Sequence, residues 1–179
     1  MSKILYINTT LIMSETAVII DGEIKGASLL NFGKKHSQTL LTQIDFLLKE
    51  ASLQIKDIEA IAINAGPGSF TGIRIGMGTL IGFVMPHDIK IITLNTLESS
   101  AYSHYGKTAV MIDARKSEFY FSIFDVKRNE VPALAYPMEA LSLEKIKSIF
   151  NDKEIDNLVF CGPFKEKIDF SPDVNIYVE

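Results

Sequence analysis

Eleven consecutive residues, Gly66 to Gly76 (GPGSFTGIRIG), join a glycine-rich turn and two hydroxyls to the start of an apolar helical pattern. The turn follows the apolar run DIEAIAIN, Asp57 to Asn64. A strand-to-helix turn of this kind aims backbone N–H groups and the positive end of the helix dipole at an anion. Gly66 and Gly68 permit backbone angles that other residues resist, and Pro67 stiffens the turn. Either Ser69 or Thr71 can cap the helix. Phosphate binding is the chemistry this suggests, yet its usual partners are missing. A Walker loop needs Gly-Lys-Ser/Thr, and here Gly72 is followed by Ile73. The spacing of Gly66, Gly68 and Gly72 is G-x-G-x-x-x-G, which is not the dinucleotide pattern. A hydrolase elbow would require glycine where Pro67 stands, and Ser69 has no identifiable base. The reading is a degenerate anion loop (Gly66, Gly68, Ser69, Thr71, Gly72) with no catalytic residue and no cofactor.

Other reactive residues are few. Three histidines and the single Cys161 show no close ligand spacing, so no metal site is expected. One cysteine excludes an intramolecular disulfide and fits a reducing cytosol. The formal charge of -4 and pI near 5.4 argue against unaided nucleic-acid binding, which draws on lysine and arginine. The basic pairs Lys34-Lys35 and Arg115-Lys116 are short and scattered. No signal-peptide segment opens the chain, and the longest apolar run, Ile73 to Pro86, is too short to span a bilayer and contains Arg74. A cytoplasmic protein with no membrane contact is expected. His36 reads as a capping or surface residue, and Asp113 with Arg115 as a local ion pair or a cleft lining.

The elements that must position the loop are legible from periodicity. KILYINTT is an apolar strand, and ETAVIIDGEIKGASLLN is two strands joined at Asp21-Gly22, a strong hairpin signal. HSQTLLTQIDFLLKEASL carries a helical stripe at Leu40, Ile44, Leu47, Leu48 and Ala51. After the loop come a helix (Thr71 to Val84), the strand KIITLN and a short helix from Thr96. TAVMIDA, EFYFSIFD and a third strand near VPALAYP predict a second sheet. A helix near Ser142 to Phe150 and the strand NLVFCG close the pattern. Three antiparallel strands, a helix, a strand and a helix predict one lobe of an α/β actin/sugar-kinase/Hsp70-type (ASKHA) fold, a mixed sheet with helices. The expected lobes are 1–104 and 105–179, the second of them shortened.

In this fold class the first hairpin carries an aspartate that orients magnesium near the phosphates. Asn8 holds that place here, and a neutral amide cannot neutralise a divalent cation. The helix after the loop has only Arg74 and Thr79 as polar side chains between Gly72 and Met85. A helix apolar on every side must be buried on every side. Its own sheet covers one face, which predicts a partner for another. Phe46 falls opposite the Leu40–Ile44–Leu47 stripe, among Thr39, Thr42, Gln43, Lys49 and Glu50. Phe46, Arg74, Gly78, Ile81 and Met85 are therefore expected in a protein interface.

Taken in order, these motifs resemble the bacterial TsaB (YeaZ) family. Its hallmarks are I-L-x-I-D-T-S, H-S-x-x-L-L, G-P-G-S-F-T-G-L-R-I-G and I-D-A-R. The chain has Ile4 to Thr10 (with Asn8 for the aspartate), His36 to Leu41, Gly66 to Gly76 (with Ile73 for leucine) and Ile112 to Arg115. The resemblance is strong from about Lys3 to Asp125 and faint beyond. It implies a role in threonylcarbamoylation of the adenosine beside the anticodon in ANN-decoding tRNAs. The family member acts there as the non-catalytic paralogue of the TsaD transferase, with which it dimerises through the two helices described above. The TsaE ATPase joins that pair, tRNA is met only through the complex, and the lone chain forms homodimers. TsaD carries an H-x-x-x-H metal pair, whereas Leu40 stands four residues after His36. The competing expectation is a stand-alone ATP-binding kinase-like or hydrolase enzyme of the same fold.

Overall fold

The computed structural model of the chain describes residues 2–31, 36–162 and 174–178, with side chains from residue 39 onward in the second stretch. The expectations for Lys34, Lys35 and the His36 side chain lie outside the described residues. Two compact units divide the chain, Met1–Leu94 and Asn95–Glu179.

In the first unit, Asp21 and Gly22 adopt positive φ of 52° and 80°. This is the backbone that a two-residue hairpin turn demands. The turn joins β2 (Ser14–Ile20) to β3 (Glu23–Leu30). β1 (Lys3–Asn8) pairs antiparallel with β2 and parallel with β4 (Ala60–Asn64), and β4 pairs parallel with β5 (Lys90–Leu94). The order is β3-β2-β1-β4-β5. Parallel neighbours require crossovers, and α1 (His36–Glu50) and α2 (Phe70–Val84) supply them. The core joins Leu5, Ile7, Val18, Ile61 and Ile63 of the sheet to Leu40, Ile44, Leu47 and Leu48 of α1 and to Leu80 of α2. The stripe read from the α1 sequence is thus the buried one. Gln43, grouped with the polar face by its chemistry, is a correction: it is 4% exposed. Its position three residues after Leu40 turns it inward, where its amide accepts from Ser14 Oγ (3.1 Å) and donates to Ser28 Oγ (3.2 Å).

The second unit holds β6 (Gly106–Arg115), β7 (Glu118–Val126) and β8 (Ala133–Ser142) as an antiparallel meander. α4 (Leu143–Asp152) follows, capped by Ser142 Oγ accepting from Lys145 N, and leads into β9 (Asn157–Cys161), parallel to β6. β10 (Asn175–Val178), for which the sequence pattern had given no strand, pairs parallel with β9. Read from β8, the order is β8-β7-β6-β9-β10. This repeats the first sheet strand for strand. The second unit is the shorter, yet its sheet also reaches five strands. α3 (Thr96–Ala101), expected in the first lobe, groups with the second unit. Asn95 caps it by accepting from Leu97 N and Glu98 N, and its Ser100 Oγ accepts from Cys161 Sγ of β9 at 3.3 Å. Two sheets of identical strand order with crossover helices define the actin/sugar-kinase/Hsp70-like α/β fold expected from the sequence.

Neighbouring residues of α2 are in opposite surroundings, since Leu80 is 4% exposed and Ile81 53%. Leu80→Ala is expected to cost about 2–4 kcal/mol, and Ile81→Ala under about 0.5 kcal/mol in the isolated chain. Urea unfolding of the two variants checks the difference.

Candidate functional site

β1 is followed by Thr9 and Thr10, both buried, and this short segment crosses the start of α2. Ser69 N donates to Thr10 O at 2.7 Å, and Thr9 Oγ1 donates to Gly72 O at 2.8 Å. Gly68, Gly72 and Gly76 share one side of the loop and helix because they are four residues apart. A Cβ at Gly68 would collide with Thr10 O and one at Gly72 with Thr9 O, while one at Gly76 would meet Thr9 Oγ1 at 2.6 Å. The glycines therefore admit the chain's own backbone. Gly66 and Gly68 also need glycine for their positive φ of 116° and 154°. Of the two cap candidates, Ser69 serves: its Oγ accepts from Gly72 N at 3.2 Å. Ser69 N and Gly72 N, two of the donors that would face an anion, are thus already bonded.

Asn8 is 3% exposed, and both ends of its amide are engaged. Its Oδ1 accepts from Thr10 N (3.0 Å) and Thr10 Oγ1 (2.7 Å), and its Nδ2 donates to Glu15 Oε2 (3.1 Å). Tyr6 OH donates to the same carboxylate oxygen at 3.2 Å. An aspartate at this place would set two carboxylates against each other. Asn64 ends β4 one residue beyond the Ile7–Ile63 pair. It is 2% exposed, and its Oδ1 and Nδ2 have no hydrogen-bond partner among the described residues. Sequence patterns marked neither Glu15 nor Asn64, because a cross-strand partner and a missing bond are both tertiary facts.

The opposite side of α2 is open. Phe70 (71% exposed), Ile81 (53%) and Met85 (81%) stand out from it, and Arg74, Gly78 and Gly82 are exposed between them. An added Cβ at Gly78 or Gly82 meets nothing within 4 Å. The face for which a partner is expected is thus exposed in the chain itself. A groove of about 390 Å³ runs between the helices, lined by Leu41 of α1 and by Arg74, Ile75, Gly78, Gly82 and Phe83 of α2. A larger one of about 790 Å³ shares Leu41 and Phe83 and extends past Leu48 to Leu53 and Ile55. Of the five expected interface residues, Arg74 and Gly78 line the first groove, and Ile81 and Met85 share the exposed stripe. Phe46 is exposed (57%) on α1 but lines neither groove. Leu41, 53% exposed, is the α1 residue that does. A helical wheel places both outside the buried stripe, but only the seating of α1 beside α2 decides between them.

Asp113 and Arg115 form no ion pair with each other among the described residues. Instead Asp113 Oδ1 accepts from Arg115 N at 2.7 Å, and Arg115, Lys116 and Ser117 turn the β6–β7 hairpin with positive φ. His87 follows the far end of α2, so about 20 Å of helix separate it from Ser69. Among the described residues, no cluster of three or more His, Cys, Asp or Glu is arranged for a metal, and no helix is long and apolar enough to cross a membrane.

The fold and a glycine loop filled by the chain's own Thr9–Thr10 segment define a class: a protein of the actin/sugar-kinase/Hsp70-like fold whose phosphate-type loop is packed by its own backbone. The sequence profile of the family described as "TsaD: tRNA N6-adenosine threonylcarbamoyltransferase" matches residues 31–171. The tRNA threonylcarbamoyladenosine biosynthesis protein TsaB of Escherichia coli (strain K12) is 32% identical over 134 residues, covering 72% of this chain and 58% of the relative. TsaB of Haemophilus influenzae is 35% identical over 94 residues, 50% of this chain and 40% of its own. The solved structure of YeaZ from Pseudomonas aeruginosa superposes with a TM-score of 0.78 at 26% identity, over 90% of this chain and 76% of that one. A second solved structure, described as an uncharacterized protein with similarity to peptidase YEAZ from the same organism, gives 0.79 at 26% identity, over 89% and 75%. The chain belongs to the TsaD family by its profile and, within it, to the TsaB (YeaZ) proteins. It spans 58% and 40% of the lengths of the two curated relatives.

Two expectations follow. Gly72→Ala should destabilise the chain by about 3 kcal/mol, whereas Gly78→Ala should stabilise it by about 0.5–1 kcal/mol through helix propensity; thermal unfolding reads both. Asn8→Asp should make stability depend on pH. The introduced carboxylate, beside Glu15, titrates above its ordinary range, so the folded state holds more protons and stability falls as pH rises through that range. Unfolding at pH 4 and pH 7 checks the sign: the deficit should be larger at about pH 7 than at about pH 4.

Proposed function

We propose that this chain is the non-catalytic scaffold and activator subunit in threonylcarbamoylation of the adenosine next to the anticodon in ANN-decoding tRNAs. In this reading it dimerises with the TsaD transferase through α1 and α2, the pair recruits the TsaE ATPase, and tRNA is met only through the complex, in the cytoplasm. The observation that carries the proposal is the exposed stripe of α2 (Arg74, Gly78, Ile81, Met85) beside an apolar groove. Apolar side chains set around glycines in open space suit close approach by another backbone. Docking there covers apolar surface and favours the transferase arrangement that presents the complementary face. Self-association through the same face is proposed for the lone chain. Phe46 extends the face along α1.

Stand-alone nucleotide chemistry is the weaker reading. Thr10 O and Ser69 Oγ already bond loop N–H groups that a phosphate would use, and Asn8 bonds Glu15 where a metal-orienting aspartate is expected. Reconstitution with TsaD, TsaE, tRNA and the small substrates is the test, with and without this chain. Modification is expected to require it. Ile81→Asp should weaken TsaD binding by about a hundredfold, roughly 2.7 kcal/mol, and lower modification accordingly. Full modification without the chain would sink the proposal. Heat from magnesium-ATP binding to the lone chain at micromolar affinity would favour the enzyme reading instead.

A further inference from the structure

Arg74 is the one charged residue of α2, whose sequence is FTGIRIGMGTLIGFV. It stands on the exposed stripe at the head of the groove that Leu41, Ile75, Gly78 and Phe83 also line. Its guanidinium carbon lies 5.5 Å from the centroid of the exposed Phe70 ring. Stacking of this kind orients a guanidinium by its face and leaves the N–H donors at its edge available. Among the described residues Arg74 has no ion-pair partner; the pairs present are Lys25–Glu23 and Lys49–Asp45, both at 2.6 Å. An occupant that seats apolar side chains in the groove strips water from those donors. A desolvated cation without an acceptor opposes binding strongly, and a well-placed carboxylate removes that opposition.

A second copy of this chain supplies no such group from the same helix. Phe70–Val84 contains no acidic residue, so α2 packed on α2 brings Arg74 only apolar and small side chains. On α1, Asp45 is paired with Lys49, and Glu50, the last residue of the helix, falls about half a turn around it from the groove-lining Leu41. We propose that Arg74 is a carboxylate receptor, and that the groove's occupant is an amphipathic helix of a different chain bearing an Asp or Glu against it. This rests on the docking reading above and adds to it the chemistry of the partner and a means of selecting it over self-association. Specificity then comes from one charge that a foreign helix satisfies and a like helix does not.

The experiment measures binding of the full chain to the TsaD transferase by calorimetry, and self-association of the chain by sedimentation. Both are run for the unaltered chain, Arg74→Ala, Arg74→Glu and Gly78→Leu, at about 50 mM and about 500 mM salt. Arg74 is exposed, so its variants should retain the thermal unfolding of the parent. Arg74→Ala is expected to weaken TsaD binding about tenfold and to flatten its salt dependence, and Arg74→Glu about a hundredfold. Self-association should strengthen in Arg74→Ala, which removes a cation that a second copy leaves unpaired. It should not strengthen in Arg74→Glu, which keeps an unpaired charge there. If Arg74→Ala binds TsaD as tightly as the parent while Gly78→Leu does not bind, the docking face stands and the carboxylate receptor is overturned. If Gly78→Leu also binds normally, the docking reading itself fails. Self-association weakened as much as TsaD binding would make a second copy the occupant and overturn the proposal.

Discussion

The passage of Thr9 and Thr10 across the start of α2 is the contact on which the rest of the first unit depends. It is possible only because Gly68, Gly72 and Gly76 present no side chain there. Two hydrogen bonds, Ser69 N to Thr10 O and Thr9 Oγ1 to Gly72 O, fix the depth of that approach. Once this side of α2 faces inward, Leu80 follows it into the core with Leu5, Ile61 and Ile63. Ile81 and Met85 are then carried outward by the 100° step of the helix. The exposed stripe is thus a geometric consequence of where the glycines sit.

The same contact changes the meaning of the glycine loop. A turn between a strand and a helix favours an anion when its N–H groups are unengaged. Here the Thr10 carbonyl and the Ser69 hydroxyl engage two of them, and both ends of the neighbouring Asn8 amide are engaged by Thr10 and Glu15. The shape of a phosphate site is retained while its polar groups are spent on holding β1 against α2. Buried Asn64, with two polar atoms unpartnered among the described residues, and Thr16 Oγ1, across from Ile7 on β2, are exceptions in this neighbourhood. A group of that kind ordinarily costs about 1–3 kcal/mol.

Membership of the TsaD family and kinship with TsaB proteins agree with the doubled topology. Two five-stranded sheets of one order, β3-β2-β1-β4-β5 and β8-β7-β6-β9-β10, repeat a single plan. No short-period repeat in the sequence announces this, because the plan is conserved in strand order and crossover, which many sequences satisfy. The small residues of α2 divide into two sets with different duties: Gly72 and Gly76 against Thr9, and Gly78 and Gly82 with nothing beside them.

The sequence by itself determined the local elements: the Asp21-Gly22 hairpin, the buried Leu40–Ile44–Leu47 stripe of α1, and the capped helix α2. Each is set by periodicity or turn chemistry within a few residues, so local physics sufficed. Four-residue spacing of Gly68, Gly72 and Gly76 was a visible signal of close approach, but not of what approaches. Only the tertiary structure decided that Thr9 and Thr10 fill that space, that Ser69 rather than Thr71 caps the helix, and that Gln43 turns inward to meet Ser14 and Ser28. The same holds for Leu41, which lines the groove in place of Phe46, and for α3, which groups with the second unit. These outcomes depend on residues tens of positions apart meeting at hydrogen-bond distance, and a linear pattern carries no record of which distant atom will arrive.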